Sequence, residues 1–341
     1  MGFEGSMRAG IRDVATLAAV SEATVDRVLH GRPNVRPATA DRVLRAAAEC
    51  GYLSSETIER LKRAQRLRLV VVLPSTANPY IRSLNQELRE WAQIRDRGAR
   101  IHSYLLDSMN PDLTASSLLR LGRKAEVIAV FGVDHPDVRD AVDELTSAGK
   151  KVLTLISDIS GSSRHAFIGI DNLAAGRTAA YLLASTAPPE GGKLAVIAAT
   201  RHYRSHVERE LGFQELIQRD HPLLEFSGTI EGQDDPLINM RMTESLLERY
   251  PDLCGIYNVG GSSEGIGMAL NRTDRARQVR LIGHGYGPDT RRLLLDGLMM
   301  AVLTQRNLSL FEVMLDHLHA LHKLAPLPMQ IIFPTNLPAV V

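Results

Sequence analysis

Apolar positions recur at helical spacing three times in the first 53 residues. Spacings of three and four residues are typical of amphipathic helices. They occur at Ile11, Val14, Leu17 and Ala18, at Val25, Val28 and Leu29, and at Val43, Leu44, Ala47 and Ala48. Ser21 is a good N-cap for the second helix, Pro37 suits the first turn of the third, and Gly51 is placed to end it. The pattern predicts a small all-α bundle of three helices.

From Leu69 onward the pattern is that of strands alternating with amphipathic helices. The run LVVVLP is continuous and β-branched, which is typical of a strand buried on both faces. Further strands are predicted near residues 100 to 105, 127 to 131, 151 to 156, 194 to 198, 224 to 229, 255 to 258 and 279 to 283, followed by MAVLTQ, a helix and MQIIFP. Strict alternation predicts parallel sheets. The length favours a two-lobed α/β domain with two parallel sheets, and the chain is expected to pass between them near residues 167 to 176.

Charge is distributed unevenly along the chain. Residues 1 to 68 carry 12 Lys and Arg against 8 Asp and Glu, a net charge of +4, whereas the remainder carries 28 against 31, a net charge of −3. A polyanionic partner is therefore permitted for the N-terminal part but not required. Residues 54 to 68 are rich in charge and have Ile58 and Leu61 as their main apolar residues, which predicts a short helix or linker.

Several classes of protein are disfavoured by what the sequence lacks. No apolar run approaches the roughly 20 residues that span a bilayer, and the first ten residues do not resemble a secretory signal, so we expect a cytoplasmic chain without membrane association. Cys50 and Cys254 are isolated, and His317 and His319 do not share a helix face with each other, so the cluster with His322 is not expected to bind a metal. The turn GGSSEG lacks the P-loop Lys and the full dinucleotide fingerprint. No catalytic residue, cofactor or enzyme activity is expected.

The stretch VATLAAVSEATVDRVL, residues 14 to 29, meets the requirements of a helix-turn-helix. Such a unit needs a small residue where the first helix ends, an apolar residue in the turn, an N-cap, and a second helix that enters the major groove. Ala19, Val20 and Ser21 supply the first three in order. Arg27 is suited to a bidentate contact with guanine, and Glu22 to accepting from a cytosine amino group. From spacing alone, a three-helix module for protein contacts remains the alternative.

The longer run DVATLAAVSEATVDRVLHGRPNVRPATADRVLRAAAECGYL resembles the headpiece of the LacI family of transcriptional repressors. LKRAQRLRLVVVLP resembles the hinge and first strand of that family, and residues 69 to 341 are similar to its periplasmic-sugar-binding-protein-like domain. The resemblance implies a DNA-binding headpiece over residues 1 to 53, a hinge over 54 to 68, and an effector-binding and dimerisation domain over 69 to 341. The implied lobes are an N-lobe of about 69 to 170 plus 306 to 328, and a C-lobe of about 171 to 305 plus 329 to 341.

The resemblance also implies which residues contact DNA. Three roles are carried over by position: base contacts at Glu22, Ala23 and Arg27, phosphate contacts at Ser21, Thr24 and His30, and a minor-groove leucine at Leu61. In the family two such leucines, one per subunit, wedge into the centre of a palindromic operator. A homodimer on palindromic double-stranded DNA is therefore expected, with a tetramer as the alternative. Asp26 stands where the family usually has Ser, and Ile58 where it commonly has Ala.

A small-molecule effector is expected in the cleft between the lobes, at the carboxyl ends of the strands. The segments NPY, GIDN, IGHGYGPD and LTQ resemble the sugar-binding branch of the family. The expected effector-binding residues are Asn78, Tyr80, Asp158, Arg204, His206, Asn258, His284 and Gln305. Gly285 stands where the family usually has the Asp of its GFD turn, and His284 is expected to fill part of the space of the missing carboxylate. Val207 stands where an arginine is expected, five residues before GF. Arg204 or His206 is expected to substitute for that arginine.

The sequence thus predicts a dimeric transcriptional regulator, a repressor of a carbohydrate-utilisation operon. Its expected effector is polyhydroxylated: a sugar, a polyol or a sugar derivative, with a carboxylated or phosphorylated sugar suited to the Arg and His cluster. The alternative is a solute-binding protein of a sugar transporter, which predicts a signal peptide and no headpiece.

Overall fold

A computed structural model describes residues 9 to 30, 32, 35 to 66, 68 to 94, 100 to 107, 110 to 319 and 325 to 338. Its N-terminal part is helical, as predicted. The helices are α1 (Ile11–Ala18), α2 (Glu22–Leu29), α3 (Pro37–Glu49) and α4 (Ser55–Arg66). Ser21 caps α2, Pro37 occupies the first turn of α3, and Gly51 follows α3 with a φ of +71°. These three helix-boundary predictions are confirmed.

The first three helices bury a common apolar core. Its buried members include Val14, Ala18, Val25, Val28, Val43 and Leu44. Ile58 of α4 joins this core and is only 4% exposed. The segment predicted as the hinge is therefore a helix that packs on the headpiece. The described part of the headpiece is residues 9 to 53.

A first sheet of five parallel strands follows. The strands are β1 (Arg68–Pro74), β2 (Arg100–Leu106), β3 (Val127–Val130), β4 (Lys151–Leu155) and β5 (Ala166–Ile168), in the order β2-β1-β3-β4-β5. Three helices connect them: α5 (Pro79–Ile94), α6 (Pro111–Gly122) and α7 (Pro136–Ser147). Strand β5 was not predicted from the sequence, because it has three residues and only the last is fully buried.

The second sheet has six strands in the order β11-β10-β9-β8-β6-β7. They are β6 (Gly192–Ala198), β7 (Leu224–Glu231), β8 (Leu253–Asn258), β9 (Arg280–His284), β10 (Ala301–Thr304) and β11 (Gln330–Ile332). The associated helices are α8 (Asn172–Ala184), α9 (Arg204–Asp220), α10 (Pro236–Arg249), α11 (Ser263–Arg272) and α12 (Pro288–Leu295). Strand β11 pairs antiparallel with β10, so the expectation of a wholly parallel sheet is wrong at this edge.

The two sheets with their helices form an N-lobe and a C-lobe. The chain crosses from the first sheet to the second after β5, returns after β10 to form α13 (Asn307–His319), and crosses again to β11. Helix α13 packs on the N-lobe, where the Phe311 ring lies 5.4 Å from the ring of Trp91, centroid to centroid. The cleft between the lobes therefore lies beside the crossing segments.

Candidate functional site

The turn between α1 and α2 has a tightly closed backbone. Ala19 is left-handed, with a φ of 51° and a ψ of 52°, and the Val20 amide donates to the Ala15 carbonyl at 3.0 Å. The Ser21 hydroxyl then accepts from the Thr24 amide at 3.2 Å, which caps α2. Val25 and Val28 are buried against the other helices. The outer face of α2 is fixed by these contacts.

The outer face of α2 presents most of the residues predicted to contact DNA. Ser21, Glu22, Ala23, Arg27 and His30 are exposed and Thr24 is half-buried. The Glu22 carboxylate accepts from Arg12 Nε at 3.1 Å, which links the start of α2 to α1. Along this face lie the Arg27 guanidinium, the Glu22 carboxylate and the Ala23 methyl group.

Asp26 is paired with a histidine and an arginine. Its carboxylate lies 2.9 Å from His30 Nδ1 and 2.9 Å from Arg32 Nη1. The Arg32 amide donates to the Arg27 carbonyl at 2.7 Å, so the backbone holds Arg32 beside the end of α2. A negative charge near a DNA surface would oppose phosphate binding, and Arg32 offsets that charge locally.

Helix α4 is anchored on the headpiece by its apolar residues. Ser54 caps it by accepting from the Thr57 amide at 3.2 Å. Leu53 before this cap and Ile58 four residues into the helix both belong to the headpiece core, at the positions of a hydrophobic staple. Leu61, the predicted minor-groove residue, is half-buried and packs against the same core.

A cavity lies between the lobes at the carboxyl ends of the strands. The space that no protein atom fills amounts to about 540 Å³, part of it open to solvent. Five of the eight predicted effector residues line it: Asn78, Tyr80, His206, His284 and Gln305. Phe131 and Tyr203 form an aromatic wall, with their ring centroids 5.2 Å apart.

Direct hydrogen bonds cross the cleft. Asn78 Nδ2 donates to Asp234 Oδ2 at 3.0 Å, and the Ser205 amide donates to Ser157 Oγ at 3.2 Å. Each bond joins one residue of the N-lobe to one of the C-lobe. The cleft is therefore in a closed conformation.

Tyr80 occupies the space expected for a carboxylate at position 285. A Cβ built on Gly285, whose φ is +75°, would lie 2.7 Å from Tyr80 Cγ. The Tyr80 hydroxyl donates to Asn307 Oδ1 at 2.9 Å and accepts from Gln305 Nε2 at 2.6 Å. Burial raises the pKa of Tyr80, so the hydroxyl stays neutral. The aromatic ring of Tyr80 therefore lies against Gly285.

Both cleft histidines are neutral. Burial, followed by the nearby charge of Arg209, lowers the pKa of His206 to about 3, and the same causes bring the pKa of His284 well below its ordinary value. His206 Nδ1 lies 2.9 Å from the Thr200 carbonyl and must be the donor there. The Tyr257 hydroxyl and His284 Nε2 are 2.6 Å apart.

Three predicted effector residues lie outside the cavity lining. Arg164 pairs with Asp158, Glu208 pairs with Arg204 at 2.8 Å, and Asn258 Nδ2 donates to the Gly261 carbonyl at 2.9 Å. Each polar group has a protein partner. We therefore leave Asp158, Arg204 and Asn258 out of the set proposed to bind the effector.

Two charged residues of the cavity were missed in the sequence, Arg209 and Asp234. Arg209 Nε donates to Asn172 Oδ1 at 2.9 Å, and its Nη1 donates to the Val259 carbonyl at 2.8 Å. Helices α8 and α9 touch closely at this level, since a Cβ on Gly176 would lie 2.0 Å from the Arg209 carbonyl oxygen. The signal was an arginine three residues before Gly212, whereas the resemblance places the expected arginine five residues before it, at Val207.

Metal binding and membrane insertion find no support in the described part of the chain. It contains no group of three His, Cys, Asp or Glu placed to hold a metal ion. None of its helices has the length and apolar character to cross a bilayer. His317 is buried, whereas His322 lies outside the described residues.

The fold and the two sites define a helix-turn-helix protein with a two-lobed small-molecule-binding domain. Residues 69–323 match the periplasmic binding protein domain, and residues 10–55 match the bacterial regulatory proteins of the lacI family. The chain therefore belongs to the LacI family of regulators.

Three known proteins are similar to this chain over different shares of its length. Catabolite control protein A of Priestia megaterium is 23% identical over 278 residues, which are 80% of each chain. The HTH-type transcriptional repressor CytR of Escherichia coli K12 is 39% identical over 72 residues, so the match spans only 21% of each protein. The crystal structure of a Burkholderia graminis solute-binding protein in complex with D-arabinose has a TM-score of 0.73 and 21% identity, covering 80% of this chain and 97% of that one. The last similarity shows the fold alone.

Proposed function

We propose that the protein is a sequence-specific DNA-binding repressor of a carbohydrate-utilisation operon, controlled by a polyhydroxylated effector that binds between the lobes. The observation that carries this proposal is the presence, in one chain, of an exposed recognition helix and a closed polar cleft. Residues 1 to 53 would bind DNA, 54 to 68 would form the hinge, and 69 to 341 would bind the effector and dimerise in the cytoplasm. In the effector domain, the N-lobe would comprise about 69 to 170 plus 306 to 328.

On DNA, Arg27 is the residue best placed to specify a base. It is exposed on α2, and no ion pair or side-chain hydrogen bond holds it within the described residues. A guanidinium reads guanine O6 and N7 in the major groove, whereas Glu22 is suited to a cytosine amino group. Ser21, Thr24 and His30 flank them as phosphate contacts. Two headpieces on one palindrome require a homodimer.

Effector binding would act through the relative position of the lobes. A ligand in the closed cleft bridges the same elements that Asn78 and Asp234 already join across it. A change in closure alters how the two N-lobes of a dimer meet, and hence the spacing of the hinge helices. Coupling of this kind amounts to about 1 to 3 kcal/mol and is reciprocal between effector and DNA.

The alternative of a transporter solute-binding protein explains only the second part of the chain. The solved structure with D-arabinose shares the fold of the effector domain, but the lacI-type match lies outside that region, at residues 10–55. The relatives above are regulators by name, which disfavours an enzyme. The helix-turn-helix therefore decides between the classes.

Fluorescence anisotropy with palindromic DNA from the region upstream of the neighbouring operon tests the proposal. Arg27→Ala should lose about 10- to 100-fold in operator affinity and relax sequence discrimination. Arg45→Ala removes the same charge from the exposed side of α3 and serves as the control. Leu61→Ala should weaken operator binding with little effect on effector affinity in the absence of DNA. Failure to bind any palindrome below about 200 mM salt would contradict the regulator proposal.

A further inference from the structure

Helix α2, which is predicted to enter the major groove, carries more negative than positive charge. Its residues include two carboxylates, Glu22 and Asp26, against one guanidinium, that of Arg27. Much of the affinity of a protein for DNA comes from cations that neutralise phosphates. Cations that bind the phosphates beside this helix must therefore come largely from the segments that flank it.

Asp26 lies on the face of α2 that is predicted to face the DNA. Residues three or four apart on a helix are neighbours on one face. Asp26 is four residues after Glu22 and three after Ala23, and His30 follows four residues later. The opposite face of the helix is buried in the headpiece core. A carboxylate, which repels phosphates, thus stands in the middle of the outer face.

Arg32 follows α2 and is held to it at two points. Its amide donates to the Arg27 carbonyl at 2.7 Å, and its Nη1 lies 2.9 Å from Asp26 Oδ2. The backbone hydrogen bond fixes where the side chain begins, and the carboxylate fixes where it ends. The guanidinium therefore lies at the outer face of α2, and since the side chain is 56% exposed, DNA can reach it.

A guanidinium held in this way can bind a second anion. It has five N–H donors, and the ion pair with Asp26 involves Nη1. Among the residues that the structure describes, Asp26 is the only ion-pair partner of Arg32. The other donors of Arg32 suit the oxygens of a phosphate. A side chain that is already ordered also loses less entropy when DNA binds.

We propose that Arg32 binds a DNA phosphate beside α2 and that Asp26 is the residue that positions it there. Asp26 acts through Arg32 and does not read a base. The inference rests on the proposed function and adds one phosphate contact per headpiece to those at Ser21, Thr24 and His30.

The salt dependence of DNA binding tests the phosphate contact. Fluorescence anisotropy of the full-length protein measures its affinity for the palindromic duplex between about 50 and 200 mM salt. Arg32→Ala should lower this affinity about 10- to 100-fold. It should also reduce the slope of log affinity against log salt concentration by about 2, since each of two headpieces loses one contact that contributes about 0.9.

Two further variants are the controls for charge. Arg32→Lys keeps the positive charge and should retain the slope. Arg45→Ala removes one charge from an exposed position of α3 and should also leave the slope unchanged. An unchanged slope in Arg32→Ala, or an equal fall in Arg45→Ala, would overturn the inference.

A scrambled duplex separates phosphate binding from base recognition. Phosphate contacts carry no sequence information directly. Arg32→Ala should therefore lose affinity by the same factor on the palindrome and on a duplex of equal length with the palindrome scrambled. Arg27→Ala should lose more on the palindrome. A loss confined to the palindrome in Arg32→Ala would contradict a phosphate contact.

A double-variant cycle tests the role of Asp26. Asp26→Asn removes the charge and keeps the shape of the side chain. It should weaken binding to the palindrome about threefold while Arg32 is present. In the Arg32→Ala background it should strengthen binding, because there the carboxylate only repels phosphates. An equal gain in affinity in both backgrounds would contradict the positioning role.

The fold of each variant and the binding of the wild type are measured in parallel. Ion pairs at exposed positions contribute little to stability, so thermal unfolding should occur at the wild-type temperature. A wild type that binds neither duplex would contradict the regulator proposal and the inference with it. Wild-type binding whose salt dependence Arg32→Ala does not change would contradict the inference alone.

Discussion

Gly285→Ala should destabilise the effector domain through Tyr80. The left-handed φ of +75° costs a residue with a side chain about 1 to 2 kcal/mol. In addition, the new Cβ would lie 2.7 Å from Tyr80 Cγ and 3.0 Å from both ring Cδ atoms, so the ring must move. Displacement weakens the hydrogen bonds of Tyr80 with Gln305 and Asn307, each contributing about 1 kcal/mol. The sum is a loss of about 2 to 4 kcal/mol.

Urea unfolding of four proteins measures this coupling: wild type, Gly285→Ala, Tyr80→Ala and the double variant. In the Tyr80→Ala background, Gly285→Ala should cost only the backbone strain. Gly297→Ala isolates that strain, because Gly297 has a φ of +71° and no atom within 4 Å of an added Cβ. If Gly285→Ala costs the same in both backgrounds to within about 0.5 kcal/mol, the steric explanation for the missing aspartate is refuted.

Two further predictions concern the hinge and the pH dependence of stability. Ile58→Ala should destabilise α4 by about 2 kcal/mol and remove amide-exchange protection from residues 55 to 66 in DNA-free protein. Ser55→Ala, at an exposed position of the same helix, should have neither effect. Unprotected amides in the wild type would contradict a preformed hinge helix. Burial and Glu264 raise the pKa of Asp289 to about 6, so its folded form prefers the proton and stability is lost as pH rises towards and through 6. Asp289→Asn should therefore increase the free energy of unfolding more at pH 7.5 than at pH 4.5, by at most about 3 kcal/mol at the higher pH. Thermal unfolding at both pH values checks this, and an equal change in Tm at both would contradict it.

The headpiece was predictable because its signals are local. Helix periodicity, the Ser21 cap and the position of Gly51 each act within a few residues, and the structure has the elements where the sequence placed them. Asp26 shows the limit of local reading. Its sequence neighbours gave no sign that Arg32 would pair with it, because that pair depends on how the chain turns after α2.

Of the residues predicted at strand ends, Asn78 and Gln305 line the cavity, whereas Arg209 on a helix was missed. Asn78 and Gln305 come directly after strands, and the carboxyl ends of parallel strands meet at one edge. Arg209 lies within α9, and the direction of its side chain follows from the close backbone contact of α8 with α9 at Gly176. Spacing from a sequence motif selected Val207 instead, which is two residues away and faces another direction on a helix.

By itself the sequence determined the helix-turn-helix, the alternation of strands and helices, the family, and the polar loops that could form a site. These depend on periodicity and capping over short distances. Only the tertiary structure decided which polar groups meet. Asn78 bonds Asp234 across 156 positions of sequence and Tyr80 bonds Gln305 across 225, because these pairs form only when the lobes close on each other. The same packing brings Arg209 and Asp234 into one cavity.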